Sequence, residues 1–141
     1  GIVTLGPTLQ SGDVVPSQNV EVLPSAPHGQ ILRDAALAIT HCGHGTVMKA
    51  LANGVPMVCI PMGRDQNDTA ARVVHHGAGI RLSPRSSATR IAAAAREVLM
   101  DPRFRENAQR LSRAIAEEAR TTDVAAELEA VVIRQTGAAA R

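Results

Sequence analysis

Residues 37–69 read LAITHCGHGTVMKALANGVPMVCIPMGRDQNDT, and this stretch decides the architecture. An apolar run, Leu37–Thr40, enters the turn His41-Cys42-Gly43-His44-Gly45-Thr46. A helical segment over Thr46–Ala52 follows and closes at Asn53-Gly54, and a second apolar run, Met57–Ile60, stops at Pro61. Glycines let a backbone approach an anion closely, and a helix beginning at Thr46 offers unpaired N–H groups and a positive dipole end. His41, beside that turn, can donate a hydrogen bond to a phosphate oxygen. The physical expectation is a phosphate site.

Outward from this unit the alternation continues. Ile2–Leu5, Val20–Leu23 and Ile80–Leu82 join Leu37–Thr40 and Met57–Ile60 as five apolar segments, most without polar alternation. Such runs suit strands buried on both faces of a parallel sheet. Helical patterns lie between several of them, at His28–Ala35, Thr46–Ala52 and Gln66–His76. The expectation is an α/β fold with a doubly wound, mainly parallel sheet, Rossmann-like, with C-terminal helices. Those helices are expected over Ser87–Met100, with Ser86 or Ser87 as N-cap, over Pro102–Arg120, and over Asp123–Gln135. Residues 1–136 read as one domain and residues 137–141 as a frayed tail. In open parallel sheets ligands sit at the carboxyl ends of the strands. Three strand ends carry unusual loops: Pro24-Ser25-Ala26-Pro27-His28, then His41–Thr46, then Pro61–Asn67. One ligand touching all three is the economical reading.

Composition bounds the alternatives. The 141 residues suffice for one domain with a core. Hydrophobic residues make up 45%, yet Phe104 is the only aromatic, so Ala, Val, Leu and Ile must fill the interior. The net charge of +2 is spread among mixed acidic and basic residues, with no aromatics to stack bases, which argues against nucleic acid as a partner. No apolar run approaches the roughly 20 residues of a membrane span. Cys42 and Cys59 are too few for a disulfide framework, which makes a reducing, cytoplasmic setting the default. A chain opening at Gly1 without Met or leader is expected to be a fragment or a processed chain.

Each candidate residue has a plainer reading. The Gly43–Thr46 turn is not a dinucleotide fingerprint, because position 48 is Met and no acidic residue follows at ribose distance. His41, Cys42, His44 and Cys59 could suggest zinc, but neighbours at a strand end point in opposite directions, and Cys59 reads as a small core residue. Cys42 reads as packing behind the turn. Asp65-Gln66 could cap the next helix or bond adjacent hydroxyls of a sugar. His75-His76 suits a helix C-terminus, where cations are favoured. His28 could cap a helix or touch a ligand. The charged residues of 96–120 form a solvated face opposite Phe104, Leu111 and Ile115.

Several motifs stand together in order and spacing: Ile2-Val3-Thr4-Leu5-Gly6-Pro7, Pro27-His28, His41-Cys42-Gly43-His44-Gly45-Thr46, Gly54-Val55-Pro56-Met57-Val58, Asp65-Gln66 and Gly77-Ala78-Gly79. Through them the chain, from about Ile2 to Leu82, resembles the C-terminal, donor-binding domain of a GT-B fold glycosyltransferase. It is most similar to the bacterial macrolide and natural-product branch, related to the UDP-glycosyltransferase family.

The resemblance implies that His41, Gly43, His44, Gly45 and Thr46 hold a donor diphosphate, and that Asp65 and Gln66 bind sugar hydroxyls. Ser25, Ala26, His28 and Lys49 fall at the nucleoside, of uridine or thymidine type. Where this chain has Ser25 the family often has Trp, and where it has Lys49 the family often has Glu. The implied reaction is inverting transfer of a sugar from a nucleotide diphosphate sugar to a small-molecule acceptor hydroxyl, with no cofactor and no required metal. The resemblance places the acceptor-binding half, with its general base, and the donor domain's first strand–helix unit outside this chain. No catalytic residue is therefore assigned within it, and the sheet should have a gap at its middle. That open position and the apolar stripe Val124, Leu128 and Val131 imply self-association, or a sheet closed by another chain. Two alternatives remain: a non-catalytic nucleotide-sugar-binding subunit of a split enzyme, and a GT-B sugar-nucleotide epimerase or hydrolase.

Overall fold

A computed structural model describes residues 1–6, 9 and 11–121. The expected helix over Asp123–Gln135, its stripe, the 137–141 tail and Pro7 lie outside the described residues. Five short strands, β1 (Ile2–Thr4), β2 (Glu21–Leu23), β3 (Ala38–Thr40), β4 (Met57–Cys59) and β5 (Gly79–Arg81), alternate with helices. The helices are α1 (His28–Ile31), α2 (His44–Ala52), α3 (Gln66–His75), α4 (Ala88–Met100) and α5 (Pro102–Thr121). Every strand pair is parallel. The strands form two sheets, β1-β2 and β3-β4-β5, with no pairing between them among the described residues.

Side-chain alternation along β4 explains its unbroken apolarity. Met57 and Cys59 enter one core with Val47, Ala50, Ala70, Val73 and Ala108, while Val58 enters another with Leu82, Ala94 and Val98. Helices therefore cover both faces of β4, as the apolar run requires. β1 and β3 are less covered: Ile2 is 49% exposed and Ile39 53%. That is unusual for apolar strand residues, and it marks where the sheet is open.

Two helices differ from the sequence reading. α1 stops at Ile31 instead of Ala35 and continues as turns, with Asp34 N–H reaching Ile31 O (3.3 Å) and Ala35 N–H reaching Leu32 O (3.4 Å). α1 carries Gly29 and buries no residue, so neither propensity nor packing extends it. α2 begins at His44, two residues ahead of Thr46, with Gly43 as N-cap. Gly43 O accepts from both Thr46 N–H (3.0 Å) and Val47 N–H (3.1 Å). The Thr46 amide is thereby used inside the helix.

α5 locks the assembly from outside. Its Arg105 donates to Ala35 O (3.0 Å), Asn107 to Gly77 O (3.3 Å) and Ser112 to Ala52 O (2.6 Å). These side chains satisfy carbonyls around the ends of three preceding helical segments. Phe104, Leu111 and Ile115 are half-buried and Ala108 fully buried, while most of the helix's charged residues face water. Ser87 caps α4 by accepting from Arg90 N–H (3.3 Å). Asp101, held below the usual carboxylate range by its hydrogen bonds from Arg103, accepts Arg103 N–H (3.0 Å) at the α5 start.

Candidate functional site

The register Thr40↔Cys59 brings the loops after β3 and β4 out side by side at the carboxyl edge of one sheet. Both loops contain a backbone conformation that side chains disfavour. Cys42 (φ 67°) and Arg64 (φ 56°) are the positive-φ residues other than glycine among the described residues. Conformations of this kind persist where the surroundings over-determine them, and they cluster at functional sites. The Cys42 kink is held from within: its N–H donates to Thr40 Oγ1 (3.1 Å) and its thiol to Thr40 O (3.7 Å). Cys59 lies against it, its thiol pushed well up by a hydrogen bond to Cys42 and by burial, so it stays protonated. Both sulfurs are fully buried. They fix the turn from behind; the Thr40 contribution was not visible in sequence, where a strand-end Thr reads only as a β-former.

On the outer side of the turn, His41 lies over Gly43. A Cβ on Gly43 would come within 2.9 Å of His41 Nε2, so this glycine makes room for the imidazole. A Cβ on Gly45 would meet nothing within 4 Å, so the space above the first turn of α2 is open. With Thr46 N–H engaged, the amides of His44 and Gly45 are the donors that point out of this helix end. The sequence reading placed Thr46 among those amides; its backbone is instead internal, and its hydroxyl-bearing side chain faces a cavity.

That cavity, about 420 Å³, runs between the two sheets. Most of its lining is apolar, and Thr4, His28, Thr40, His41 and Thr46 bring polar side chains to it. Thr4 Oγ1 and His28 Nε2 are 3.3 Å apart, which ties α1 to β1 and was not legible in the sequence. Of the residues singled out for a ligand, His28, His41 and Thr46 line this one cavity, with Gly43, His44 and Gly45 on the adjoining turn. Ser25 is exposed and Ala26 half-buried in the loop before α1. Lys49 is exposed on α2 and does not line the cavity; it shares a face with Gly45 and Thr46, one turn further in.

Asp65 and Gln66 behave differently from each other. Asp65 sits at the start of α3 in helical conformation, and its side chain makes no cap hydrogen bond. The capping explanation for it therefore fails, and its carboxylate is exposed. Gln66 Oε1 accepts from Met62 N–H (2.7 Å) and Gly63 N–H (3.2 Å), so it shapes its own loop. A second hollow, about 350 Å³, lies beside them between Pro61, Asn67 and Arg81, where Arg81 Nη2 donates to Asn67 Oδ1 (2.8 Å). His75 and His76 end α3 with their rings 5.2 Å apart, on the exposed far side from these loops. Among the described residues no three His, Cys, Asp or Glu side chains group as metal ligands would. No described helix is long and apolar enough to cross a membrane.

Parallel strands, helices on both faces of the three-stranded sheet and kinked loops at its carboxyl edge define a Rossmann-like α/β domain. The chain belongs to the family of the erythromycin biosynthesis protein CIII-like C-terminal domain, which it matches over residues 2–131. It is 42% identical over 94 residues to the 4'-demethylrebeccamycin synthase of Lentzea aerocolonigenes, covering 66% of this chain and 22% of that protein. It is 35% identical over 112 residues to the demethyllactenocin mycarosyltransferase of Streptomyces fradiae, covering 78% of this chain and 24% of that one. The crystal structure of the calicheamicin glycosyltransferase superposes with a TM-score of 0.84 at 30% identity, over 94% of this chain and 34% of the other. The chain thus spans between a fifth and about a third of the length of these relatives.

Proposed function

We propose that this chain is the donor-binding domain of a glycosyltransferase that moves a sugar, with inversion, from a nucleotide diphosphate sugar to an acceptor hydroxyl. One observation carries the reading: His41 and the outward amides of His44 and Gly45 converge on an open space at the sheet's carboxyl edge. That geometry suits a diphosphate. Kinship with sugar-transferring enzymes supports the transfer chemistry. In the proposed mechanism a base from outside this chain deprotonates the acceptor hydroxyl, whose oxygen attacks the anomeric carbon from the face opposite the diphosphate. The departing diphosphate gains charge, which His41 and the α2 N-terminus offset. His28 and the Ser25-Ala26 backbone face the nucleoside, Lys49 reaches toward it or a phosphate, and Asp65 takes sugar hydroxyls.

The division between Asp65 and Gln66 makes a test. Asp65→Ala should weaken binding of a nucleotide sugar by about 1–3 kcal/mol while leaving the bare nucleotide nearly unaffected. Gln66→Ala should weaken both, because it also releases the Met62–Gly63 loop. Titration calorimetry of the full-length protein with UDP, TDP and their glucose conjugates separates the cases. Equal losses for sugar and bare nucleotide in Asp65→Ala would remove it from the sugar subsite.

The 141-residue chain alone should transfer no sugar. Transfer needs a base within about 3 Å of the acceptor hydroxyl and an acceptor held in line. The polar groups of the three loops are occupied with the donor or with one another in this reading. Product formation by the purified chain, given donor and acceptor, would overturn the assignment.

A further inference from the structure

The second hollow at the carboxyl edge of the three-stranded sheet plays no part in the donor reading. About 350 Å³ in volume, it lies between the loops that follow β4 and β5, lined by Pro61, Asn67, Arg81, Leu82, Ser83 and Pro84. Arg81 ends β5 and pairs in register with Cys59, so its side chain rises from the face of the sheet that carries Cys59. There it reaches the first turn of α3, where Asn67 Oδ1 accepts from Nη2 at 2.8 Å. That bond orients the guanidinium and leaves the rest of its donor fork unused. Asp65 and Asp68 stand on the same turn, yet the ion pairs among the described residues, Arg103–Asp101 and Arg120–Glu117, do not involve Arg81. The other polar side chains of the lining are donors as well. A guanidinium can only donate, so it fixes Oδ1 of Asn67 toward itself and leaves Nδ2 as the remaining polar group. Ser83 Oγ accepts from Arg85 N–H (3.2 Å), and its own proton is left to donate. Pro61, Leu82 and Pro84 add apolar walls.

We propose that this hollow binds a carboxylate carried by a substrate, with Arg81 as its bidentate partner. A lining of donors with no carboxylate of its own selects an anion, and the planar fork of an arginine matches the paired oxygens of a carboxylate. A phosphate already has a place elsewhere in the donor reading. The diphosphate lies at the start of α2 after β3, and β4 separates that turn from the hollow. Position then says which end of the ligand the hollow meets, a step that rests on the donor-site reading. Asp65, assigned there to the sugar hydroxyls, immediately precedes the helix whose first turn carries Asn67. The carboxylate therefore arrives at the sugar end of the donor and not at the nucleoside. It belongs either to the transferred sugar or to the acceptor, and binding measurements tell the two apart.

Titration calorimetry of the full-length protein tests both sources. If the sugar brings the carboxylate, UDP-glucuronate should bind about fivefold tighter than UDP-glucose, an effect in the range of an exposed ion pair. If the acceptor brings it, 4-hydroxybenzoate should show a similar advantage over its methyl ester in the presence of UDP. In either case Arg81→Gln should abolish the preference while leaving affinity for bare UDP unchanged. Arg81→Lys keeps the charge but loses the fork, and should lose most of the preference too. Asn67→Ala frees the guanidinium without removing it and should reduce the preference about twofold, so the assignment does not hang on one position. Thermal melts of each variant show that it is folded. No preference for the carboxylate in either arm, or a preference that survives Arg81→Gln in a folded protein, overturns the proposal. A preference for 4-hydroxybenzoate that needs Arg81, with no binding of UDP or TDP, overturns the donor reading and leaves the carboxylate site standing.

Discussion

Gly79→Ala should unfold this domain. A Cβ at position 79 would lie 2.2 Å from Met57 O, 3.1 Å from Met57 C and 3.0 Å from Val73 Cγ1. Two of those atoms are backbone, in the strand that both cores share, and cannot swing aside as a side chain could. Relief requires β5 to move off β4, which breaks the ladder that includes Met57 N–H to Ala78 O (3.0 Å) and opens the packing around Met57 and Val73. A cost of about 3 kcal/mol or more is expected, at the upper end for a core substitution. Urea denaturation measures it. A midpoint shift equivalent to less than about 1 kcal/mol would mean that the strands have a freedom this packing denies them. Gly45→Ala supplies the contrast. It meets no neighbour and sits in a helix, so it should leave stability unchanged or raise it by about 0.5–1 kcal/mol.

His41→Ala should weaken nucleoside diphosphate binding by about 1–3 kcal/mol, the range for a hydrogen bond to a charged acceptor. The effect should be reproduced by a substitution that leaves the imidazole in place but displaces it. Gly43→Ala does this, because the added Cβ collides with Nε2 at 2.9 Å while the backbone, at φ −59°, accepts alanine. Gly45→Ala should also lose affinity, since its methyl would occupy the open space over the α2 amides. Binding and stability thus separate across these variants: Gly79→Ala loses the fold, while His41→Ala, Gly43→Ala and Gly45→Ala lose the ligand. Calorimetry with UDP and TDP alongside thermal melts gives both readouts. Unchanged affinity in His41→Ala would take the diphosphate away from this turn.

β4 was legible because a strand buried on both faces is an unbroken apolar run, and β3 and β5, although less covered, also lie within one residue of their expected bounds at each end. α3, α4 and α5 were legible for a related reason: each has a stripe to bury and a clear start at Gln66, Ser87 or Pro102. α1 was overestimated because the sequence shows apolar residues near His28–Ala35 without showing that Leu32 alone is buried, with Ala35 packed partly against the same core. The start of α2 was misplaced because His44 and Gly45 are weak helix formers, and the helix takes them in with Gly43 as an N-cap that offers no side-chain hydrogen bond. The correction changes the chemistry, for it takes the Thr46 amide into the helix and leaves those of His44 and Gly45, already among the expected diphosphate residues, as the outward donors.

The sequence by itself determined the α/β class, the family and the loops that meet at the carboxyl edge, since these follow from apolar periodicity and from motif order along the chain. Tertiary structure decided which groups remain available there. Asp65 is left uncapped while Gln66 Oε1 is taken by its own loop; Cys42 and Cys59, seventeen residues apart, meet behind the kinked turn. It also decided that β1 and β3 border one cavity. Hydrogen-bond partners and strand neighbours depend on which segments lie side by side in space. Local pattern carries the tendency of a segment to become a strand or a helix, but only packing chooses its neighbour.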